Sequence, residues 1–309
     1  MHDEFFNSPA EAGLAPRTRG RFAPSPTGPL HFGSLVAAVG SYLEAKSHGG
    51  EWLVRIEDLD ALRVLPGAAD GILRTLEACG MHWDGPVVYQ SRRIEAYRAA
   101  LAELDRLGMV YPCSCSRREI ADSSIAGPGG LIYPGTCRTG AKAERPHSLR
   151  VRTEGGQVEF RDLLQGQIRQ NLEAEVGDFV LRRADGLFAY QLAVVVDDAQ
   201  QGVTEVVRGA DLLDSTPRQI YLQRLLGLPT PSYLHLPVVV NEEGEKLSKQ
   251  TLAPAVGGAN PVPLLARVLA FLGQQPPAEL TEADPDSFWR WAAANWRTEK
   301  IPRRKAMPE

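Results

Sequence analysis

Near its start the chain reads Pro24-Ser25-Pro26-Thr27-Gly28-Pro29-Leu30-His31-Phe32-Gly33-Ser34. The run follows a short apolar strand candidate and precedes a stretch whose apolar residues recur at the three- and four-residue steps of a helix. We therefore expect His31 and Gly33 to lie at a strand-to-helix turn. At such a turn the free backbone N–H groups and the positive helix terminus favour phosphate, and a glycine without a Cβ lets a flat base approach the main chain.

A second segment, far along the chain, reads Lys246-Leu247-Ser248-Lys249-Gln250. It supplies two lysines on a polar loop, where they could stabilise the charge on a pyrophosphate leaving group. Taken alone, His31 is equally typical of a hydrogen-bonded turn histidine, and each lysine of a solvated loop charge. Taken together, the two segments indicate an ATP site.

The composition and charge are those of a globular protein. The chain has 309 residues, of which 43% are hydrophobic and 23% charged, so we expect a sizeable core and two domains. A formal net charge of -4 argues against a broadly basic nucleic-acid-binding surface, so any RNA contact must use local patches. One candidate is the basic run from Arg297 to Lys305, for which the alternative is a solvated, frayed terminus.

The N-terminal residues 1–18 are polar and acidic and lack an apolar centre, so they predict a flexible extension rather than a signal peptide. No apolar stretch of the sequence is long enough to span a bilayer. We therefore expect a cytoplasmic protein, with a monomer as the default oligomeric state. The 4 cysteines do not indicate a disulfide framework in a chain of this size.

Three of the cysteines, Cys113, Cys115 and Cys137, lie close together in a segment rich in glycine and proline. Clustered thiolates suit Zn2+, which can supply the folding energy that a small, loop-rich unit lacks. A tetrahedral site needs one more ligand, for which His147 is the ordinary choice and Tyr133 an unusual one. The alternative is a set of three reduced cysteines in a surface subdomain.

The first part of the chain alternates strands and helices. A strand candidate covers residues 51–57, and helix candidates cover 72–79 and 94–107. Cys79, at the end of the first of these helices, is expected to be a small core residue. Repetition of strand and helix is the pattern of a parallel α/β sheet.

The middle of the chain has β character. The turn signals Glu154-Gly155-Gly156 and Asp185-Gly186 each lie between apolar runs, and each predicts a hairpin. Further along, residues 194–198 and 205–209 have the composition of buried strands. From about Pro261 onward the pattern becomes helical.

The chain resembles the glutamyl branch of class I aminoacyl-tRNA synthetases in three segments, namely Arg21-Phe22-Ala23-Pro24-Ser25-Pro26-Thr27-Gly28, His31-Phe32-Gly33 and Lys246-Leu247-Ser248-Lys249. The resemblance covers nearly the whole chain after the N-terminal extension. It implies a Rossmann-type α/β catalytic domain with a zinc-binding insertion and a short helical C-terminal domain. The implied boundaries are 1–18 for the extension, 19–110 and 189–254 for the two halves of the catalytic domain, 111–188 for the inserted acceptor- and zinc-binding subdomain, and 255–309 for the C-terminal region.

The cysteine spacing is similar to the zinc site of shortened members of this branch. This likeness implies that a structural Zn2+ has the ligands Cys113, Cys115, Tyr133 and Cys137. A full glutamyl-tRNA synthetase resembles the chain only from Arg19 to about Pro254, and then continues into helical domains that read the anticodon. We therefore expect no anticodon-binding domain here.

Four residues are candidates for a glutamate site, because a doubly wound sheet brings strand ends to one crevice. The resemblance implies that Glu57 meets the α-ammonium group, while Arg21 and Arg208 hold the side-chain carboxylate. Tyr190 would line the pocket, and the segment Phe22-Ala23-Pro24-Ser25 would also bind glutamate. Two arginines select glutamate over glutamine, because the amide would present donors to donors. The alternatives are a structural ion pair between Arg21 and Glu57 and a core position for Tyr190.

The implied reaction is attack of the α-carboxylate of glutamate on the α-phosphate of ATP, which gives glutamyl-AMP and pyrophosphate. His31 would contact the phosphates, and Gly33 would admit the adenine and ribose, with Ser34 beside them. Lys249 would stabilise the departing pyrophosphate, together with Lys246 and Mg2+.

Shortened members of the branch activate glutamate without tRNA and transfer it to queuosine at the wobble position of tRNA(Asp). The resemblance implies the same activity here, with ATP, L-glutamate and tRNA(Asp) carrying queuosine as partners. One alternative is a conventional glutamyl-tRNA synthetase that charges the 3' end of tRNA(Glu). Another is a non-catalytic tRNA-binding paralogue, although the intact His31, Lys246 and Lys249 argue against it.

Overall fold

The computed structural model describes residues 17–127, 130–142, 144–241, 244–245 and 260–308. Its first part alternates strand and helix, as the apolar pattern predicts, and the strand and helix candidates at 51–57, 72–79 and 94–107 are confirmed. The elements are β1 (Arg19–Phe22), α1 (Phe32–Ser47), β2 (Glu51–Ile56), α2 (Ala68–Ala78), β3 (Val88–Tyr89) and α3 (Ile94–Arg106).

The middle part contains mostly short strands. The strands and helices of this part are β4 (Val110–Cys113), α4 (Arg117–Ser123), β5 (Ile125–Gly127), β6 (Gly130–Ile132), β7 (Ser148–Val151), β8 (Gln157–Asp162), β9 (Gly166–Asn171), α5 (Leu172–Glu175) and β10 (Val180–Arg182). The chain then returns to longer elements, which are α6 (Tyr190–Gln200), β11 (Glu205–Gly209), α7 (Thr216–Leu225), β12 (Ser232–Leu236) and β13 (Val238–Val240). The C-terminal part consists of α8 (Val262–Phe271), α9 (Pro285–Asn295) and β14 (Ala306–Pro308).

The parallel strands form a layer in the order β3, β2, β1, β11, β12. β1 pairs with β2, β2 with β3, and β11 with β12, all in parallel. β1 lies beside β11, where Thr204 donates its backbone N–H to the carbonyl of Arg19 at 3.0 Å. Successive strands are added on opposite sides of β1, so a crevice opens at the carboxyl ends of β1 and β11. That edge is where Arg21 and Arg208 lie.

Two hydrophobic cores of the described residues pack on opposite faces of this layer, because the neighbouring residues Val206 and Val207 of β11 belong to different cores. One joins α1, β1 and β2 to the C-terminal helices α8 and α9, and the other joins α3, α6, α7 and β11. Trp289 donates its indole N–H to the carbonyl of Cys79 at 2.8 Å, and Trp296 donates to the Glu44 carboxylate at 2.6 Å. These buried bonds fasten the C-terminal helices to the first part of the chain. Cys79 is buried in the core, as expected, and burial raises the pKa of its thiol to about 11.

The strand prediction for residues 194–198 is wrong, because these residues lie within α6. Val194, Val195 and Val196 are all buried, so the helix carries a continuous apolar run rather than an amphipathic stripe. Periodicity cannot distinguish such a run from a buried strand. The strand predicted at 205–209 is confirmed as β11.

The hairpin predicted around Glu154-Gly155-Gly156 is also wrong. β7 pairs with β4 and β10, whereas β8 pairs with β9 and touches β12. Asp178 accepts hydrogen bonds at 2.9 Å from both the backbone N–H and the hydroxyl of Thr153, which lies just after β7. The turn at Asp185-Gly186 does reverse the chain, with Arg182 bridged antiparallel to Phe188.

Within the described part of the chain, none of the helices combines the length and the apolar character needed to cross a membrane.

Candidate active site

The turn predicted at His31 is confirmed. His31 caps the N-terminus of α1, and its Nδ1 accepts the backbone N–H of Ser34 at 3.3 Å. An accepting Nδ1 carries no proton, so in the neutral ring the proton is on Nε2. Gly33 and Ser34 lie in the first turn of this helix and are both partly exposed. The first turn of α1 therefore offers backbone donors and an imidazole at the edge of the crevice.

Lys246 and Lys249 lie outside the described residues, so the second half of the predicted ATP site stays a prediction. The segment that leads from β1 to α1 is described, and it runs directly past Glu57. Pro24 accepts the backbone N–H of Glu57 at 3.0 Å through its carbonyl. Phe22 is buried, while Ala23 and Pro24 are partly exposed.

Arg21 is almost wholly buried and pairs with an acid that the sequence analysis assigned no role. Its Nε and Nη2 lie 3.2 and 3.3 Å from the two carboxylate oxygens of Asp198, on α6. Arg55 donates to the same carboxylate from Nη1 at 2.7 Å. Burial opposes ionisation of Asp198, but the charges of Arg21 and Arg55 outweigh it and lower its pKa. The three side chains therefore form a buried, ionised network.

Glu57 belongs to the same network. Arg55 donates from Nη2 to its carboxylate at 3.3 Å. Burial raises the pKa of Glu57, and the positive charges of Arg55 and Arg21 offset only part of that effect. The carboxylate is thus short of positive charge, and an incoming ammonium group would supply it. Arg21 and Glu57 do not pair directly with each other in any hydrogen bond or ion pair among the described residues.

Arg208, on β11, is held from every side. Its Nε donates to Nε2 of His235 at 3.1 Å, and its Nη1 donates to the hydroxyl of Tyr190 at 3.2 Å. Its Nη2 donates to Thr216 Oγ1 and Gln219 Oε1, both at 2.8 Å. Only part of the Nη1 group is left for a ligand.

These contacts define how a carboxylate could approach. The Nε/Nη2 edge of Arg21 faces Asp198, and the donors of Arg208 are mostly taken. A carboxylate would therefore meet the Nη1 groups of the two arginines, rather than a full guanidinium edge. Tyr190 lies within electrostatic reach of Arg208, Glu57 and Arg21. Burial raises the pKa of its phenol, so it acts as a neutral donor or acceptor.

His235 fixes the orientation of Arg208. Its Nδ1 lies 2.6 Å from the carboxylate of Asp162, and both side chains are fully buried. Nδ1–H donates to this carboxylate, so Nε2 carries no proton and presents its lone pair to Arg208. Burial lowers the pKa of His235, which keeps the ring neutral. A polar residue between Leu234 and Leu236 in an apolar strand was the only sequence signal for this role.

Asp197 joins α6 to the first part of the chain. It accepts hydrogen bonds from the hydroxyl of Tyr97 at 2.7 Å and from the side-chain amide of Gln90 at 2.8 Å. Arg93 donates to its other oxygen at 2.5 Å. Arg55 lies 3.8 Å from the carboxylate of Asp197 and 2.7 Å from that of Asp198, so both acids anchor the helix that carries Tyr190.

The predicted metal ligands come together in the middle part. The sulfur atoms of Cys113, Cys115 and Cys137 all lie within 4.8 Å of one another. The hydroxyl of Tyr133 is 3.3 Å from the sulfur of Cys113 and 3.6 Å from that of Cys115. His147 is not part of this cluster and hydrogen bonds instead, through Nε2, to the carbonyl of Lys142 at 2.9 Å.

A sequence model of the class I tRNA synthetases (E and Q), catalytic domain, matches residues 17–259, and the chain belongs to this family. Its relatives include a protein of Dechloromonas aromatica that is 61% identical over 288 residues, covering 92% of this chain and 96% of that protein. That protein is named glutamyl-Q tRNA(Asp) synthetase. A protein of Aromatoleum aromaticum with the same name is 57% identical and covers 94% of this chain and 92% of its own length.

Among solved structures, the chain is similar to a glutamate tRNA ligase from Elizabethkingia meningosepticum in complex with its amino acid. The TM-score is 0.76 at 25% identity, over 93% of this chain and 66% of that chain. A glutamate-tRNA synthetase from Elizabethkingia anophelis gives the same TM-score of 0.76 at 26% identity, over 93% of this chain and 67% of its own. The fold is therefore that of a class I tRNA synthetase catalytic domain, with a parallel α/β sheet.

The Asp162→Asn substitution tests the orientation of His235. The amide oxygen can keep the contacts to the backbone N–H groups of Leu164 and Gln165, so the NH2 group faces Nδ1. The proton should then move to Nε2, where it opposes the Nε–H of Arg208. We expect the 15N signals of His235 to change from the Nδ1–H to the Nε2–H pattern, with a loss of ~1–3 kcal/mol in the free energy of unfolding.

The matched control is Asp178→Asn, because Asp162 and Asp178 are each only 1% exposed. This control should lose stability without changing the His235 tautomer, since its contacts are with Tyr111, Arg138 and Thr153. An unchanged His235 spectrum in Asp162→Asn would contradict the assignment.

Proposed function

We propose that the protein activates L-glutamate with ATP to glutamyl-AMP in the absence of RNA, and then transfers the glutamyl group to queuosine at the wobble position of tRNA(Asp). Its relatives at 54–61% identity carry the name glutamyl-Q tRNA(Asp) synthetase, and the chain spans 92–97% of the length of the first five. The family membership supports the chemistry, and these names support the acceptor.

The observation that carries the proposal is the convergence of Arg21, Glu57, Tyr190 and Arg208 at one edge of the sheet. Charge couples all four in the folded chain, although residues 21 and 208 are far apart in sequence. The arginines Arg21 and Arg208 would face a carboxylate of the ligand. The negative charge of Glu57 is only partly balanced by its neighbours, so it suits an α-ammonium group. Glutamate has this arrangement of charges, whereas glutamine lacks the second carboxylate.

Positioning is the main contribution of these residues to the first step. The α-carboxylate oxygen attacks the α-phosphorus of ATP, and the bond to the β-phosphate breaks, so that pyrophosphate leaves. His31 and the first turn of α1 would bind the phosphates through N–H donors, and Lys246 and Lys249 would bind pyrophosphate. Mg2+ bound with ATP would offset negative charge on the phosphates.

The second step forms the ester. A hydroxyl of the cyclopentenediol ring attacks the carbonyl carbon of glutamyl-AMP and loses its proton, and AMP leaves with the bonding electron pair. The crevice at the ends of β1 and β11 must then admit the ring from the RNA side.

A labelling experiment tests the whole proposal. The protein is incubated with ATP, labelled glutamate and tRNA(Asp) that carries or lacks queuosine, and the label is mapped on the RNA. We expect label only on the queuosine-containing tRNA, at the anticodon. Label at the 3' end of tRNA(Glu) would instead establish a conventional glutamyl-tRNA synthetase. Absence of ATP–pyrophosphate exchange with glutamate would indicate a non-catalytic tRNA-binding protein.

The raised pKa of Glu57 predicts how glutamate binding depends on pH. The ionised carboxylate binds the ammonium group, and a raised pKa means that it is protonated earlier as the pH falls. The KM for glutamate in ATP–pyrophosphate exchange should therefore rise as the pH falls toward that pKa, and level off above it. The γ-carboxyl group of the ligand glutamate has a lower pKa than Glu57, about 4.3.

Glu57→Gln is the matched variant for this test. It should raise the KM for glutamate about ten-fold or more and remove the acid limb, because the amide does not titrate. A wild-type profile that is flat across the same range, or an acid limb that survives in Glu57→Gln, would contradict this role.

We further propose that Cys113, Cys115, Cys137 and Tyr133 bind a structural Zn2+ within an inserted subdomain, residues 111–188. Three soft thiolates and a hydroxyl in contact with two of them match the number of ligands in a closed tetrahedral site. The metal would supply folding energy to a cluster that buries few apolar side chains. Residues 255–309 would form the short helical C-terminal region.

Tyr133→Phe separates the two candidates for the fourth ligand. The ring remains available to stack beneath Arg150, whose guanidinium lies 3.9 Å from the ring centroid, so packing should persist. We expect zinc affinity to fall by about ten-fold or more in a competition titration with a chromophoric chelator. His147→Ala should bind zinc as the wild type does. The reverse pattern would make His147 the ligand.

A further inference from the structure

A cavity of about 250 Å³ lies between the cysteine-rich segment and the beginning of α7. Its walls combine apolar and polar side chains, including Leu131, Tyr133, Arg150, Gln170, Phe179 and Arg218. Leu131 is 55% exposed, unusually for a large apolar residue. The volume is enough for a single nucleobase and part of its sugar.

Three polar atoms around this cavity lack a partner. Among the described residues, only seven buried side-chain nitrogen and oxygen atoms have no hydrogen bond, and three of them belong to residues of this cavity. They are Nε of Arg150, Oε1 of Gln170 and Nε of Arg218. Arg150 is only 7% exposed. Buried polar groups are rarely left unpaired, because each costs on the order of 1–3 kcal/mol.

The charges around the cavity nearly balance. Asp178 is taken up by Arg138, which donates to both carboxylate oxygens at 2.6 and 2.7 Å. The other charged residues that line the cavity are two arginines, Arg150 and Arg218, and two acids, Glu175 and Asp214. Burial lowers the pKa of Arg218. A bare phosphate would therefore meet as much negative as positive charge, whereas a neutral group with both donors and acceptors would satisfy the three unpaired atoms.

The cavity adjoins the residues that hold Arg208. Thr216 and Gln219, in the first turn of α7, accept hydrogen bonds from Arg208, while Arg218 of the same turn lines the cavity. Leu212 also accepts from Arg208 through its carbonyl at 3.4 Å, and Asp214, just after it, lines the cavity. A group bound in the cavity would thus be separated from the candidate glutamate site by a single helical turn.

We propose that this cavity receives one unpaired nucleotide of the RNA acceptor. A nucleobase is flat and neutral, and it carries both acceptors for the two arginines and a donor for Gln170. Its face would pack against the apolar side chains Leu131 and Phe179. This inference rests on the proposed function insofar as the acceptor is an RNA, and it assigns the cavity to a nucleotide next to the one that accepts glutamate.

Two variants test the polar contacts, and a third variant serves as a matched control. Gln170→Met removes the acceptor without changing charge or length, and Arg218→Gln removes a cavity cation. Arg118→Gln makes the same change at a residue of the neighbouring α4 whose side chain is 90% exposed. Arg150 is left intact, because it stacks on Tyr133.

The readout is the Kd for fluorescently labelled RNA, measured by anisotropy with tRNA(Asp) carrying queuosine and with unfractionated tRNA. We expect Gln170→Met and Arg218→Gln each to weaken binding about ten-fold, and Arg118→Gln to stay within about two-fold. Gln170→Met should leave the salt dependence of binding unchanged, since no phosphate contact is lost.

Wild-type affinity in Gln170→Met would overturn the proposal. An equal loss in Arg218→Gln and Arg118→Gln would also overturn it, and would indicate a general charge effect instead. A crystal structure of the RNA complex in which only water fills the cavity would overturn it as well. The proposed function can fail separately: transfer to neither tRNA(Asp) nor tRNA(Glu), with the expected differences in Kd for unfractionated tRNA, would remove the acceptor assignment and leave the nucleotide site standing.

Discussion

One buried carboxylate, that of Asp198, holds the candidate site together. It accepts hydrogen bonds from Arg21 on β1 and from Arg55 on β2, while it belongs to α6, which follows the whole middle part of the chain. Removing one partner of a buried ion network typically costs ~3–5 kcal/mol, because the remaining charges stay buried and unpaired. These ion pairs therefore connect the strands before the middle region, β1 and β2, with the helix after it, α6, at the point where the ligand would bind.

A second buried network preorganises the other wall of the candidate site. Arg208 could rotate freely if it were exposed, but His235, Tyr190, Thr216 and Gln219 hold its guanidinium in place. Asp162 in turn selects the tautomer of His235 whose Nε2 can accept a hydrogen bond from Arg208. A guanidinium fixed in this way loses little side-chain entropy when a carboxylate arrives, and it leaves few donors for any other group. In the proposed function, this restriction would favour an amino acid with a second carboxylate.

The sequence pattern predicted the elements that have one buried face and one exposed face. β2 is found because its side chains alternate, α3 because its apolar residues recur along one face, and the turn at His31 because a strand and a helix flank it. α6 is misassigned because it is buried on all sides, so no stripe marks it. β8 pairs with β9 rather than β7, and the end of β7 is instead bonded to Asp178, which lies beyond all three strands in the sequence.

The sequence by itself determined the chemistry that is available: a histidine and a glycine at a strand-to-helix turn, two arginines and a glutamate with charges that would suit an acidic amino acid, and three cysteines with a tyrosine in one segment. The tertiary structure decided which groups are paired before any ligand binds. It gave Asp198 to Arg21, His235 to Arg208 and the Tyr133 hydroxyl to the cysteine sulfurs, and it left three polar atoms unpaired around one cavity. Such pairings form through space between residues far apart in the chain, and their strength depends on burial, which residue order alone does not reveal.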